Sequence, residues 1–118
     1  MSASFDLVTI DSPQPAVLAV FWCAVLNLQE TQREDGDRWL VLSDADGVRR
    51  IGLQRGVHRP GGPHLDLACT PDEFDGEVGR LVALGAGLVA PPRQEAYGAI
   101  ANLVDPDGHR FDLCAYRP

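Results

Sequence analysis

Short strand-like runs of apolar and β-branched residues dominate the chain, and turn signals separate them. The clearest case closes the sequence. Ala99 to Val104 and His109 to Tyr116 flank Asp105-Pro106-Asp107-Gly108. Proline presets φ, the aspartates accept backbone hydrogen bonds, and glycine supplies a positive φ. This stretch predicts a β-hairpin. A weaker copy precedes it by about sixty residues: Arg38 to Ser43, then Asp44-Ala45-Asp46-Gly47, then Val48 to Arg55.

In chain order, Phe5 to Asp11 reads as a strand. Ser12-Pro13-Gln14-Pro15 is a helix entry, with serine as cap and proline in the first turn. Val17, Val20, Phe21, Ala24 and Val25 recur at helical spacing over Ala16 to Leu26, and Asn27 is a left-handed stop. Leu28 to Glu34 is polar and alternating, an edge strand, and Asp35-Gly36-Asp37 turns the chain. Gly56 to Pro63, with its glycines and prolines, is the linker. His64 to Thr70 is again a strand. Thr70 and Glu73 form a capping box around Pro71. Phe74, Val78, Leu81, Val82 and Leu84 form the buried stripe of a second helix, which Gly85 ends. Gly87 to Ala90 is a short strand and Pro91 to Tyr97 a loop before the closing hairpin.

Both halves therefore read strand, helix, strand, strand, strand. Asp44 to Gly47 matches Asp105 to Gly108. Ile51-Gly52-Leu53 matches Phe111-Asp112-Leu113 if the first half carries one extra residue after its turn. An internal repeat of this length is a fold-level signal. The expected fold class is α+β. It comprises one domain over residues 1–118, with a first module over about 4–55, a linker over 56–63 and a second module over 64–117.

Composition narrows the function classes. The 118 residues are 45% hydrophobic and 23% charged, as in ordinary globular chains, and the formal net charge is −7. An acidic chain without a lysine or arginine cluster repels phosphate backbones, so no nucleic-acid partner is expected. No apolar run is long enough to span a bilayer, so no membrane partner is expected. No basic stretch precedes an apolar run at the N-terminus, which points to the cytoplasm. Cys23, Cys69 and Cys114 are far apart and odd in number, as expected of small thiols packed in apolar segments.

Certain pieces resemble the vicinal oxygen chelate superfamily of glyoxalase I, bleomycin-resistance proteins and extradiol dioxygenases. They are Phe5 to Asp11, Phe21-Trp22 with Leu26, His64-Leu65-Asp66-Leu67, and Asp105-Pro106-Asp107-Gly108 followed by Phe111-Asp112-Leu113. The nearest likeness is to small glyoxalase-like proteins. The resemblance implies paired βαβββ modules, a curved eight-stranded mixed sheet around a cleft with helices on the outer face, and a homodimer. It also implies four metal-ligand places, at Leu7, Gly52, His64 and Asp112. Of these only His64 and Asp112 carry donors. They would hold Zn, Ni, Mn or Fe only as a partial site.

Strand parity adds candidates independently of that resemblance. His64 and Asp66 share one face, opposite Leu65, Leu67 and Cys69. Asp112 shares its face with Cys114 and Tyr116. Leu7, Thr9 and Asp11 lie together, as do Gly52 and Gln54. The candidate ligand-binding residues are Thr9, Asp11, Trp39, Gln54, Asp66, Tyr97 and Tyr116, and the candidate catalytic residues are His64 and Asp112. His64 is open to three uses: polar pairing with Asp112 or Asp66, metal ligation, or general acid–base work. His58 and His109 are expected in solvent, and Trp22 in packing.

The leading expectation is a glyoxalase-like protein that binds a small organic molecule, with no cofactor required. The alternatives are a metal-dependent lyase, isomerase or dioxygenase of the glyoxalase type, and a non-catalytic dimerisation module.

Overall fold

A computed structural model describes residues 5–118. Ser4, the expected start of the first module, lies outside them. The chain divides between His58 and Arg59 into two compact units.

The first unit contains β1 (Val8–Ser12), α1 (Pro15–Leu26), β2 (Gln29–Glu34), β3 (Trp39–Ser43) and β4 (Arg49–Arg55). Its sheet runs β1-β4-β3-β2, with β1 parallel to β4 and the other pairs antiparallel. The second unit contains β5 (Leu65–Ala68), a 3-10 turn at Pro71–Glu73 leading into α2 (Phe74–Ala83), then β6 (Gly87–Leu88), β7 (Arg93–Glu95), β8 (Gly98–Val104) and β9 (Arg110–Tyr116). Its sheet runs β5-β9-β8-β6, with β7 also paired to β8 and β5 parallel to β9. The fold is thus α+β, and both units share the βαβββ plan. The sheets hold four and five strands.

Register confirms the repeat residue by residue. In the first hairpin Ser43 faces Arg49 but Leu42 faces Ile51, so Arg50 bulges out of the ladder. In the second, Val104 faces Arg110 and Leu103 faces Phe111 without interruption. Arg50 is the extra residue that matching the halves requires. The same bulge explains why the first strand starts at Val8 rather than Phe5. Leu7 would pair with Arg50, where the parallel ladder has lost its partner, so residues 5–7 precede the strand.

Local signals hold at several element ends. Asn27 adopts φ 54°, and the next N–H, of Leu28, donates to the Cys23 carbonyl at 3.0 Å. Gly85, at φ 120°, closes α2 with its N–H on Val82 and the Ala86 N–H on Leu81. The Glu73 carboxylate accepts from the Thr70 N–H and hydroxyl, at 3.2 and 2.6 Å. Ser12 does not cap α1. Its hydroxyl accepts the Gln14 N–H, and Gln14 takes the cap position.

Three expectations fail on phase and pairing. α1 buries Leu18, Ala19, Phe21, Trp22 and Val25, while Val17 and Val20 are exposed. Its twelve residues carry no charged or amide side chain, so spacing alone cannot show which stripe faces the sheet. α2 buries Phe74, Val78 and Leu81, but Val82 and Leu84 stand out in solvent. Residues 93–95, expected in a loop, form β7. Pro91 and Pro92 lack N–H groups and split the sheet edge into two short strands.

In the first unit the core is Leu40, Leu42, Ile51 and Leu53 under α1. In the second it is Phe111, Leu113, Leu103 and Leu81. Each such side chain stabilises its unit by about 1.5–3 kcal/mol. Trp22, 1% exposed, packs edge-on against Phe21 with ring centroids 5.1 Å apart.

Candidate functional site

The polar group lies on β5, β8 and β9 of the second unit. Asp66 pairs with Asp112 across β5 and β9, and Asp112 pairs with Asn102 across β8 and β9. His64, just before β5, points its Nε2 at both carboxylates: 3.3 Å from Asp66 Oδ1 and 3.3 Å from Asp112 Oδ2. A neutral imidazole has one N–H, so it can donate to only one of them at a time. Asp112 is the buried member. Asn102 Nδ2 donates to its Oδ1 at 2.8 Å, and Arg110 Nη2 approaches at 3.4 Å. Arg93 in turn donates from Nη1 to Asn102 Oδ1 at 2.6 Å and from Nε to Glu95 at 2.7 Å. The amide oxygen faces a cation, so the amide N–H₂ is left for Asp112.

The donor atoms of His64, Asp66 and Asp112 lie within 4.8 Å of one another. An imidazole and two carboxylates are a donor set suited to a divalent cation of the Mn, Fe, Ni or Zn type. Asp66, expected only as a binding residue, is the third donor.

The first unit offers a different surface at the same register. Thr9 pairs with Gly52, and Gly52 with Val41. By ladder position Leu7 stands for His64, Thr9 for Asp66, Gly52 for Asp112 and Val41 for Asn102. The Trp39 indole covers Gly52. A Cβ there would overlap Trp39 Cη2 and come within 2.8 Å of Cζ3 and 3.1 Å of Leu7 Cδ1. Thr9, Asp11 and Gln54 are exposed on that face, with Gln54 between Asp11 and Trp39 in the ladder. The candidates thus fall into two sets, one per unit.

Tyr97 and Tyr116 lie at the end of the β8–β9 ladder, where Gly98 pairs with Tyr116, their ring centroids 6.0 Å apart and their planes tilted by 46°. The Cys114 thiol, hydrogen-bonded to the Tyr116 hydroxyl, pushes that phenol's pKa up, and the nearby Asp66 carboxylate adds to the shift. Burial likewise raises Cys23, helped by Glu30, and Cys69, which keeps both thiols protonated and unreactive.

His109 corrects an expectation. It is buried, and its Nδ1 lies 2.8 Å from both oxygens of Asp105, itself 2% exposed. His58 is half-buried. Asn102, Arg93 and Arg110 escaped the sequence reading. Counting outward from the Asp-Pro-Asp-Gly turn places Asn102 opposite Asp112, so that signal was present. Arg93 had none, because β7 was not foreseen.

Two βαβββ units, one carrying a histidine–carboxylate group at its paired first and last strands, define a protein of the vicinal oxygen chelate class. The chain belongs to the glyoxalase-like domain family, which matches residues 7–114. It is similar in structure to a glyoxalase/bleomycin resistance protein/dioxygenase family enzyme from Burkholderia phytofirmans, at 19% identity and TM-score 0.81. That match covers 98% of this chain and all of the other. It is also similar to the fosfomycin resistance protein FosX from Listeria monocytogenes, solved with Mn(II) and sulfate. There the identity is 21% and the TM-score 0.77, over 99% and 92% of the two chains. Among curated proteins no match is found. No helix among the described residues is long and apolar enough to cross a membrane.

Proposed function

We propose that this is a glyoxalase-like protein that binds a small organic molecule at His64, Asp66 and Asp112 without a complete four-ligand metal site. One observation carries the reading: the Trp39 indole covers Gly52 beside Leu7, where the repeat would place the other two ligands. Leucine and glycine have no donor atoms, and the indole fills the space into which a longer side chain at residue 52 would extend. The His64 imidazole, set between two carboxylates, can then exchange a proton with a bound ligand or hold it by hydrogen bonds. The working form is a homodimer in the cytoplasm.

A second reading is favoured by the spacing of the three donors. In it His64, Asp66 and Asp112 hold a divalent ion, of the kind represented by the Mn(II) with which the similar FosX was solved. The ion would supply Lewis-acid polarisation for glyoxalase-type lyase, isomerase or dioxygenase chemistry. Asn102 and Arg110 would keep Asp112 oriented, as partners behind a ligand do.

Elemental analysis of purified, dialysed protein separates the two. The proposal expects well under one ion per chain, unchanged in His64→Ala. One ion per chain, lost in His64→Ala, would establish the second reading.

A further inference from the structure

We infer that the second unit carries a separate site for an α-amino acid with a small aliphatic side chain, on the face of its sheet opposite Asn102 and Asp112. A cavity of about 190 Å³ lies there, between the start of α2 and the strands β7, β8 and β9. The ladder explains the space. Side chains alternate between faces, and on the α2 face the pairs shrink along β8 and β9, from Leu103–Phe111 through Ala101–Leu113 to Ala99–Ala115. The larger pairs belong to the core under α2, and the two alanines leave room beside Phe74. Phe74, Ala99 and Ala115 are buried and form an apolar floor.

The rim supplies both signs of charge. Asp75, Gln94 and Arg117 line the cavity and are exposed, and their side chains make no hydrogen bond or ion pair among the described residues. The charges around them are matched: Arg93 with Glu95, Arg80 with Glu77, and Glu73 with the Thr70 hydroxyl. Asp72, on the 3-10 turn before α2, adds a further negative charge outside the lining. The Arg117 N–H donates to the Tyr97 carbonyl at 2.9 Å, which fixes its backbone at the rim. Asp75 and Arg117 thus share one cavity without pairing with each other. A simple anion there would face Asp75 and Asp72, and a simple cation would face Arg117. A zwitterion meets both, its carboxylate on the Arg117 guanidinium and its ammonium on Asp75, while the Gln94 amide can donate or accept beside them. The cavity is smaller than the roughly 300–1,000 Å³ of drug-sized ligand sites, so the apolar part has to be small.

Three probes with one isobutyl body test this: L-leucine, 4-methylpentanoate, which lacks the ammonium, and 3-methylbutylamine, which lacks the carboxylate. Each is titrated into the labelled full chain. The amide NMR shifts of Asp75, Gln94, Ala99 and Ala115 report on the cavity, and those of Asp66 and Asp112 on the opposite face. Leucine should move the first set and bind about fivefold more tightly than either analogue, the upper end for one exposed ion pair. Arg117→Gln should bring leucine down to the amine's affinity, and Asp75→Asn down to the acid's. Both changes are at exposed positions, and the spread of amide shifts shows that each variant folds. Tightest binding by either analogue, or affinity ratios unchanged in both variants, would overturn the inference. So would an absence of shifts at the cavity, with or without shifts at Asp66 and Asp112. The reading of His64, Asp66 and Asp112 is decided separately, by metal content.

Discussion

In the first hairpin Asp44 Oδ1 accepts the N–H groups of Asp46 and Val48, and in the second Asp105 Oδ1 accepts those of Asp107 and His109. The backbone closes identically: Gly47 and Gly108 donate to Asp44 and Asp105 at 2.9 Å, and Asp44 and Asp105 donate to Val48 and His109 at 2.9 Å. The other carboxylate oxygen differs. Asp44 Oδ2 meets the exposed Arg50, whereas Asp105 Oδ2 meets the buried imidazole of His109. Further along the same strands, Gly52 lies under Trp39 while Asp112 meets His64 and Asn102. The turn chemistry builds one scaffold twice, and a few side chains decide what each copy displays. A repeated backbone therefore says where chemistry can sit, and the residue at each register position says whether it does.

Breaking the two turns should show the contrast most strongly. Asp105→Ala leaves His109 buried without its carboxylate and should cost about 3–5 kcal/mol in urea unfolding. Asp44→Ala exposes its turn to water and should cost clearly less. Equal losses would mean that burial of the second pair contributes nothing extra.

Copying the second unit's pattern into the first comes next. Gly52→Asp drives a side chain into the indole and should cost about 3 kcal/mol. Adding Trp39→Ile reproduces the Ile100–Asp112 arrangement and should recover about 1–2 kcal/mol of that cost in a double-mutant cycle. Additive losses would mean that Trp39 does not occupy the space over Gly52.

A smaller effect is expected at the partner of Asp112. Asn102→Leu removes the amide that donates to a buried carboxylate and should cost about 1–3 kcal/mol, measured by thermal melting.

The smallest effect is acid sensitivity. The Val48 N–H, and then Arg50, hold the Asp44 carboxyl below its ordinary value near 3.8. A carboxyl with a depressed folded-state pKa contributes stability above its unfolded value and loses it as pH falls through the folded one. The melting temperature should therefore fall below about pH 4. Asp44→Asn should flatten a small part of that fall, and an unchanged slope would contradict the assignment.

Turn and cap chemistry made much of the fold legible, because a few residues decide it locally. The D-x-D-G turns, Asn27, Gly85 and the Thr70–Glu73 box all stand where short-range hydrogen bonds place them. Features set by distant partners were not legible. Nothing in Pro-Pro-Arg-Gln-Glu announces β7, which exists because β8 has a free edge. The phase of α1 is hidden by its uniformly apolar sequence. At the site, parity put Asp66 on the face of His64, the β5–β9 pairing then set it opposite Asp112, and counting from the turn would have found Asn102. His109 stands four residues after Asp105 across a turn that returns the chain on itself, a spacing that permits the buried pair. Its burial depends on packing that no local pattern encodes. Trp39 over Gly52 required the side-chain direction as well as the register.

The central claim, that an indole covers the first unit's counterpart of Asp112 while the second unit carries a polar group, is tested most directly by proton NOE spectroscopy of the labelled protein. The account predicts cross-peaks from the Trp39 Hη2 and Hζ3 protons to Gly52 Hα and the Leu7 methyls. A Trp39 ring with no contact to Gly52, averaging among rotamers, would contradict it.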